Sequence, residues 1–587
     1  MNDLAASAGA WGIEPGYHDV FGKWHPASAQ TLEHLIDALS RGRAAPPHIE
    51  YPPLPEHPMR CWQGDGRRLW ALAVQLYALR SARNWGHGDF TDLAKLIEIA
   101  GAMGASGIGL NPLHALFPDR PDAPSPYAPN SRLFLNPFYI DVDAVPEFPG
   151  IAAAGLADDL PRLREGDLID YEGVARAKLH ALQLAYEQFA RSAGNERRSD
   201  FQAYRIEQDE ALLRFACFEV LRQIHASKPW REWPEPWRSP DRAALEEFRR
   251  QHLGACEFQE FMQWIADRQL AACVRTARKA GMPIGLYTDL AVGIDPAGAD
   301  AWSRQDAIVA SVCVGAPPDE FNPAGQDWGL APFNPMTLSQ DDFAPLRQLM
   351  RAVMRHAGAI RLDHVMGLKR VFMIPQGMGA AGGTYVRYPF EPLLRVVGEE
   401  SCHFRCIVVG EDLGTVPEGF RDTTAKWGVW TYRVMLFERE ADGRFRPPEH
   451  YPPDAVATFN THDLPSLQGW LNGHDLKVKR GLGIDPGESE EGRVHAQHML
   501  RATLGERGTS DDPAAIASFL GATPSKLAVI GLDDVLGEIE QVNVPGTTDE
   551  HPNWRRKLKA PLEHLPSHEG LQRVAGAFAQ AGRSHKP

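Results

Sequence analysis

Eight short apolar runs punctuate this chain, at residues 72–79, 106–111, 283–289, 359–363, 406–411, 432–437, 455–459 and 539–544. Near-continuous apolar runs of this length read as strands buried on both faces, as in a parallel sheet with helices packed against it. Amphipathic stretches lie between several of them, such as 92–105. Eight such strands separated by helices predict an α/β fold, a parallel (β/α)8 (TIM) barrel. The alternation pauses after the second run. There Ala175, Leu179, Leu182, Tyr186 and Phe189 keep a three-four spacing, as do Phe258, Phe261, Met262 and Ile265. That spacing predicts a mainly helical insertion at about 141–256, and a second helical insertion is expected at about 466–535. Upstream, Ser28 is in position to cap a helix bearing Leu32, Leu35, Ile36 and Leu39, and prolines crowd residues 46–58. Residues 1–58 therefore read as a small helical extension and linker, and residues 59–587 as the barrel.

Four carboxylates follow such runs: Asp289, Asp363, Glu411 and Asp463. In a parallel barrel the strand C-termini share one rim, where active sites are built, so residues far apart in sequence would meet there. Taken singly, an acid in such a place is more often a helix cap or an ion-pair partner. Three of the four carry distinctive neighbours. Arg361 precedes Asp363 by two positions, on the same strand face, and a cation there favours the charged form a nucleophile needs. Glu411 heads Glu411-Asp-Leu-Gly414, where a protonated carboxyl could serve as general acid. His462 next to Asp463 offers a donor beside an acceptor, a combination suited to vicinal hydroxyls. An acid, a nucleophile and a third carboxylate match the needs of glycosidic-bond cleavage with retained configuration.

The remaining composition narrows the alternatives. With 61 basic against 76 acidic side chains, the net charge of −15 argues against a nucleic-acid partner and is compatible with a neutral substrate. Seven scattered cysteines fit a reducing compartment. The first thirty residues lack a basic start followed by an apolar core, and the apolar run at 69–79 is too short to span a bilayer. A cytoplasmic protein with no membrane partner is expected. No His-Glu-x-x-His pair occurs among the 22 histidines, so no metal is expected, and the glycines at 377–383 read as a loop rather than a phosphate cradle. The cluster Trp230, Trp233 and Trp237 could stack on sugars, but its proline-rich setting favours packing of the inserted subdomain.

Arg361-Leu-Asp-His-Val-Met-Gly367, Gly410-Glu-Asp-Leu-Gly414 and Thr461-His-Asp-Leu-Pro465 resemble signature segments of bacterial 4-α-glucanotransferases, the amylomaltases or disproportionating enzymes of glycoside hydrolase family 77. Further similar segments are 75–86, Ser125-Pro-Tyr127, 136–141, 315–329, and 541–547 with 551–556, the last two resembling the family's closing strand. The resemblance implies Asp363 as nucleophile, Glu411 as general acid/base and Asp463 as the carboxylate that helps distort the sugar. It implies that Tyr127, Asp289, Arg361 and His462 line the subsite, and that Asp319, Gln326 and Trp328 sit on a loop arching over the glucan. Glu320 departs from the aromatic residue many relatives carry there. No cofactor is implied; the partners would be α-1,4-glucans and maltooligosaccharides. Two other readings remain open: an α-amylase-like hydrolase, whose usual C-terminal β-sandwich does not fit the 43 residues after Val544, and a non-catalytic glucan-binding protein.

Overall fold

In a computed structural model, which describes residues 2–586 apart from 20–21, 52, 55–58 and 319–324, eight parallel strands close into a barrel. They are β1 Leu69–Val74, β2 Gly107–Leu110, β3 Gly285–Leu290, β4 Ala359–Leu362, β5 Ile407–Gly410, β6 Trp430–Val434, β7 Ala455–Thr458 and β8 Leu527–Gly531. Each pairs with its neighbours in sequence order, and β8 returns to β1 with Leu527 opposite Leu69. The lumen is packed with Leu69, Ala71, Tyr287, Val409, Trp430, Tyr432, Val456, Leu527 and Val529, all buried. It is a core rather than a pore, and the fold is the expected TIM barrel.

Seven of the eight expected runs contain or overlap a barrel strand; the eighth is displaced. The closing strand is 527–531, which lies inside the stretch read above as a helical insertion, and not 539–544. Leu-Ala-Val-Ile at 527–530 is apolar without interruption and buried throughout, as a strand covered on both faces requires. In 539–544, polar Glu540, Gln541 and Asn543 make up half the segment, whereas both faces of a barrel strand are buried. That segment is instead a loop over the barrel mouth. The first strand also ends earlier than its run, because residues Leu76–Ala78 turn into a short 3-10 helix.

Long helices fill the insertion between β2 and β3: Tyr171–Ser192, Asn195–Ile224 and Leu253–Lys279. The tryptophan cluster packs there. Trp230 and Trp233 are buried, and their indole N–H groups donate to the carbonyls of Pro296 (3.1 Å) and Lys228 (2.9 Å).

The N-terminal segment holds helices Asn2–Ala10 and Ala29–Ser40, the latter capped by the Ser28 hydroxyl. It also holds a hairpin, Gly16–His18 with Trp24–Pro26, which the helical reading missed. Trp11, Ile13, Leu32, Leu35 and Leu39 share one core with Val312, Val314, Leu330, Val371, Met373 and Val386. Those partners belong to a four-stranded antiparallel sheet, 384–387, 370–375, 312–316 and 326–330, beside the barrel. Among the described residues no helix is long and apolar enough to cross a membrane.

Candidate active site

The barrel register brings the predicted residues together. Arg361 on β4 lies opposite Asp289 on β3, while Asp363 and Glu411 follow directly on β4 and β5. The buried Arg361 guanidinium is the hub: Nη1 donates to both oxygens of Asp289 at 2.9 Å, Nη2 pairs with Asp363 Oδ1 at 2.9 Å, and Glu411 Oε2 lies 3.9 Å away. A charge removed from water needs such partners. One cation here serves three carboxylates from three strands.

Glu411 is additionally gripped by the backbone. His364 N–H donates to Oε2 (2.9 Å) and Leu413 N–H to Oε1 (2.8 Å). His364 can aim its N–H this way because it adopts a left-handed conformation, φ 46°. Burial raises the Glu411 carboxyl, Arg361 and the two N–H groups pull it down, and the nearby Asp363 charge pushes it up; the balance lies at about 7. A carboxylic acid poised there can give and take a proton near neutrality.

Asp463 differs. Burial would raise it, but His462 Nε2 at 3.3 Å and the Asn543 amide, donating to Oδ1 at 2.6 Å, hold it below the ordinary carboxylate range. His462 is correspondingly raised: burial opposes its charge, but Asp463 prevails. Tyr127 completes the wall. Its hydroxyl donates to Asp289 Oδ2 (2.5 Å) and lies 3.2 Å from His462 Nδ1, and its ring stacks on the imidazole at 4.6 Å. Burial raises Asp289, Arg361 counteracts this, and the Asp363 charge adds to the rise.

Tyr127, Asp289, Arg361 and His462 line a cavity of about 470 Å3 that extends past Gln75 and Asn111. This is the size of a small-molecule site. Gln326 and Trp328 lie on the sheet strand Gln326–Leu330; Trp328 presents its ring edge-on to His364 at 5.3 Å and donates to Gln326 Oε1 at 3.1 Å. Both therefore flank the turn that follows Asp363. Asp319 and Glu320 lie outside the described residues. Among the described residues, no group of three or more His, Cys, Asp or Glu side chains could hold a metal ion.

Two residues of the site were not anticipated. Asn543 holds Asp463, and the buried Trp554 packs against Tyr127 and His462, each at 5.4 Å between ring centres. Both stand in segments read as a closing strand, which hid their place at the mouth.

Residues 74–563 match the family model described as 4-alpha-glucanotransferase. The 4-alpha-glucanotransferase of Mycobacterium tuberculosis is 39% identical over 527 residues, covering 84% of this chain and 72% of its own length. That of Haemophilus influenzae is 35% identical over 545 residues, covering 86% and 78%. Among solved structures, amylomaltase from Corynebacterium glutamicum superposes with a TM-score of 0.84 at 28% identity, over 98% of this chain and 99% of that one. Amylomaltase from Streptococcus agalactiae in complex with acarbose gives 0.74 at 18% identity, over 88% and 100%, a likeness of fold alone.

Proposed function

The chain belongs to the 4-alpha-glucanotransferase family, glycoside hydrolase family 77, and is an enzyme of that activity; on this premise we propose how the residues of its barrel mouth carry out the transfer. A donor α-1,4-glucan places one glucosyl unit against Tyr127, Asp289, Arg361 and His462. Asp363 attacks the anomeric carbon while Glu411 gives its proton to the departing 4-oxygen, releasing the reducing-end fragment and leaving the rest esterified to Asp363. Glu411, now ionised, takes the proton of an acceptor's 4-hydroxyl, and that oxygen displaces Asp363. Two inversions at one carbon retain the α configuration. Asp463, ionised beside His462, grips the vicinal hydroxyls of the sugar and favours its distortion.

The observation that carries this reading is the pairing of environments around Arg361. Asp363 is ion-paired at 2.9 Å, whereas the buried Glu411 carboxyl sits near 7. One carboxyl is suited to attack and its neighbour to proton transfer. Gln326 and Trp328 would flank the glucan, on a sheet that shares a core with the N-terminal extension. Glucose and maltooligosaccharides would be the acceptors, and the cytoplasm the working compartment. Incubation with maltotriose and chromatography of the products tests the proposal. Glucose together with a ladder of longer chains is the expected result; glucose and maltose alone would mean that water is the acceptor, and no turnover would overturn the assignment.

A further inference from the structure

We propose that Trp554 is a positioning residue, a wedge held in a strained backbone conformation that fixes the His462 and Tyr127 rings and through them the carboxylates Asp463 and Asp289. Trp554 sits at φ 60°, the left-handed region, which a bulky side chain rarely enters. Such conformations persist only where the surroundings over-determine them, and they gather at functional sites. Here the surrounding segment is tied at several points. Trp554 N–H donates to the Val542 carbonyl (3.1 Å), and its own carbonyl accepts from the buried Tyr171 hydroxyl (2.6 Å). On one side the Asn553 side-chain oxygen accepts from Val544 N–H (2.9 Å); on the other, the Arg555 carbonyl accepts from Ile169 N–H and Lys557 N–H donates to the Asp167 carbonyl (both 2.8 Å).

The ring that this backbone presents is buried and meets both aromatic members of the site. Tyr127 and His462 stack on each other, and the indole crosses both rings at 45° and 50°. Each of those rings in turn holds a carboxylate, since the Tyr127 hydroxyl is bonded to Asp289 and His462 is paired with Asp463. The same loop also carries Asn543, whose backbone N–H donates to the His462 carbonyl (3.1 Å) and whose amide holds Asp463. Trp554 touches no position at which a bond is made or broken, so its effect passes through its neighbours.

The inference rests on the site assignment above, and its test is separable from it. Trp554→Leu should lower kcat about a hundredfold, the scale of an ångström of misplacement, with KM changed less than about threefold. Trp554→Phe, which keeps a ring, should restore most of the loss. In Trp554→Leu the His462 titration, followed by NMR, should also move down, as its contact with Asp463 loosens. Tyr171→Phe is remote from the substrate and releases only the carbonyl of Trp554; it should show a smaller loss of the same kind and covers the case in which the leucine variant fails to fold. Wild-type kcat in Trp554→Leu, or a loss in Trp554→Phe equal to that in Trp554→Leu, would overturn the proposal. If Asp363→Asn stays active, the site assignment itself has failed instead.

Discussion

Glu411→Gln separates proton transfer from nucleophilic attack. A glutamine keeps the shape but cannot protonate a departing sugar oxygen, and general acids of this kind supply about 10² to 10⁴ in rate. With maltotriose, whose leaving group is an alkoxide, kcat should fall by at least that lower bound. With a glycosyl fluoride, which leaves without a proton, formation of the covalent adduct should persist, so the two donors should diverge by two orders of magnitude or more. The wild-type enzyme supplies the matching pH signature. With the Glu411 carboxyl at about 7, half of it is protonated at pH 7 and about a tenth at pH 8, so glycosylation by maltotriose should drop about fivefold over that unit. Glycosylation by the fluoride should not follow this limb. Single-turnover rates at the two pH values, with mass spectrometry of a digest to locate the adduct on Asp363, make the measurement. Equal losses on both donors, a shared alkaline limb, or an adduct elsewhere would refute the assignment of Glu411 and Asp363.

Asp363→Asn should abolish turnover while maltooligosaccharides still bind, since an amide cannot form the ester; residual kcat above about a tenth of wild type would point to another nucleophile. Asn543→Ala removes a donor that helps hold Asp463 below the ordinary range, so the Asp463 carboxyl should rise and the acid limb of the pH–rate profile should shift to higher pH. An unmoved or downward-shifted limb would show that Asp463 does not govern it. Dialysis against a chelator should leave activity and Tm unchanged, and a drop in either would reveal a required ion.

The barrel and the carboxylates gathered at its mouth were legible because both follow from local pattern. Runs such as 406–411 are apolar, short and bounded by polar residues, and strand ends in a parallel barrel face one rim whatever their separation in sequence. The misplaced eighth strand shows the limit of that pattern. Two apolar runs, 527–531 and 539–544, lie close together, and the sequence reading took the more polar one as the strand and placed the other in a helical insertion, although both faces of the strand must be buried. The same error concealed Asn543 and Trp554. Nothing local marks a tryptophan as left-handed, because the bonds that impose it come from Tyr171 and Val542, distant or unpredictable partners. The packing of the N-terminal segment was similarly invisible. Its apolar stripe at Leu32, Leu35 and Leu39 was evident, but not the sheet it would cover.

The sharing of Arg361 by Asp363 and Glu411 has a temporal consequence. Part of what keeps Glu411 protonated is the negative charge of Asp363, while Arg361 works in the opposite sense. If Asp363 becomes an ester, as proposed above, that charge is gone, and the guanidinium 3.9 Å away acts on Glu411 against burial alone. The carboxyl should then release its proton more readily, just when the acceptor needs a base; departure of the glycosyl group restores the charge and resets the acid. The two half-reactions would thus be synchronised by the electrostatics of a single side chain, with no movement of the barrel required between them.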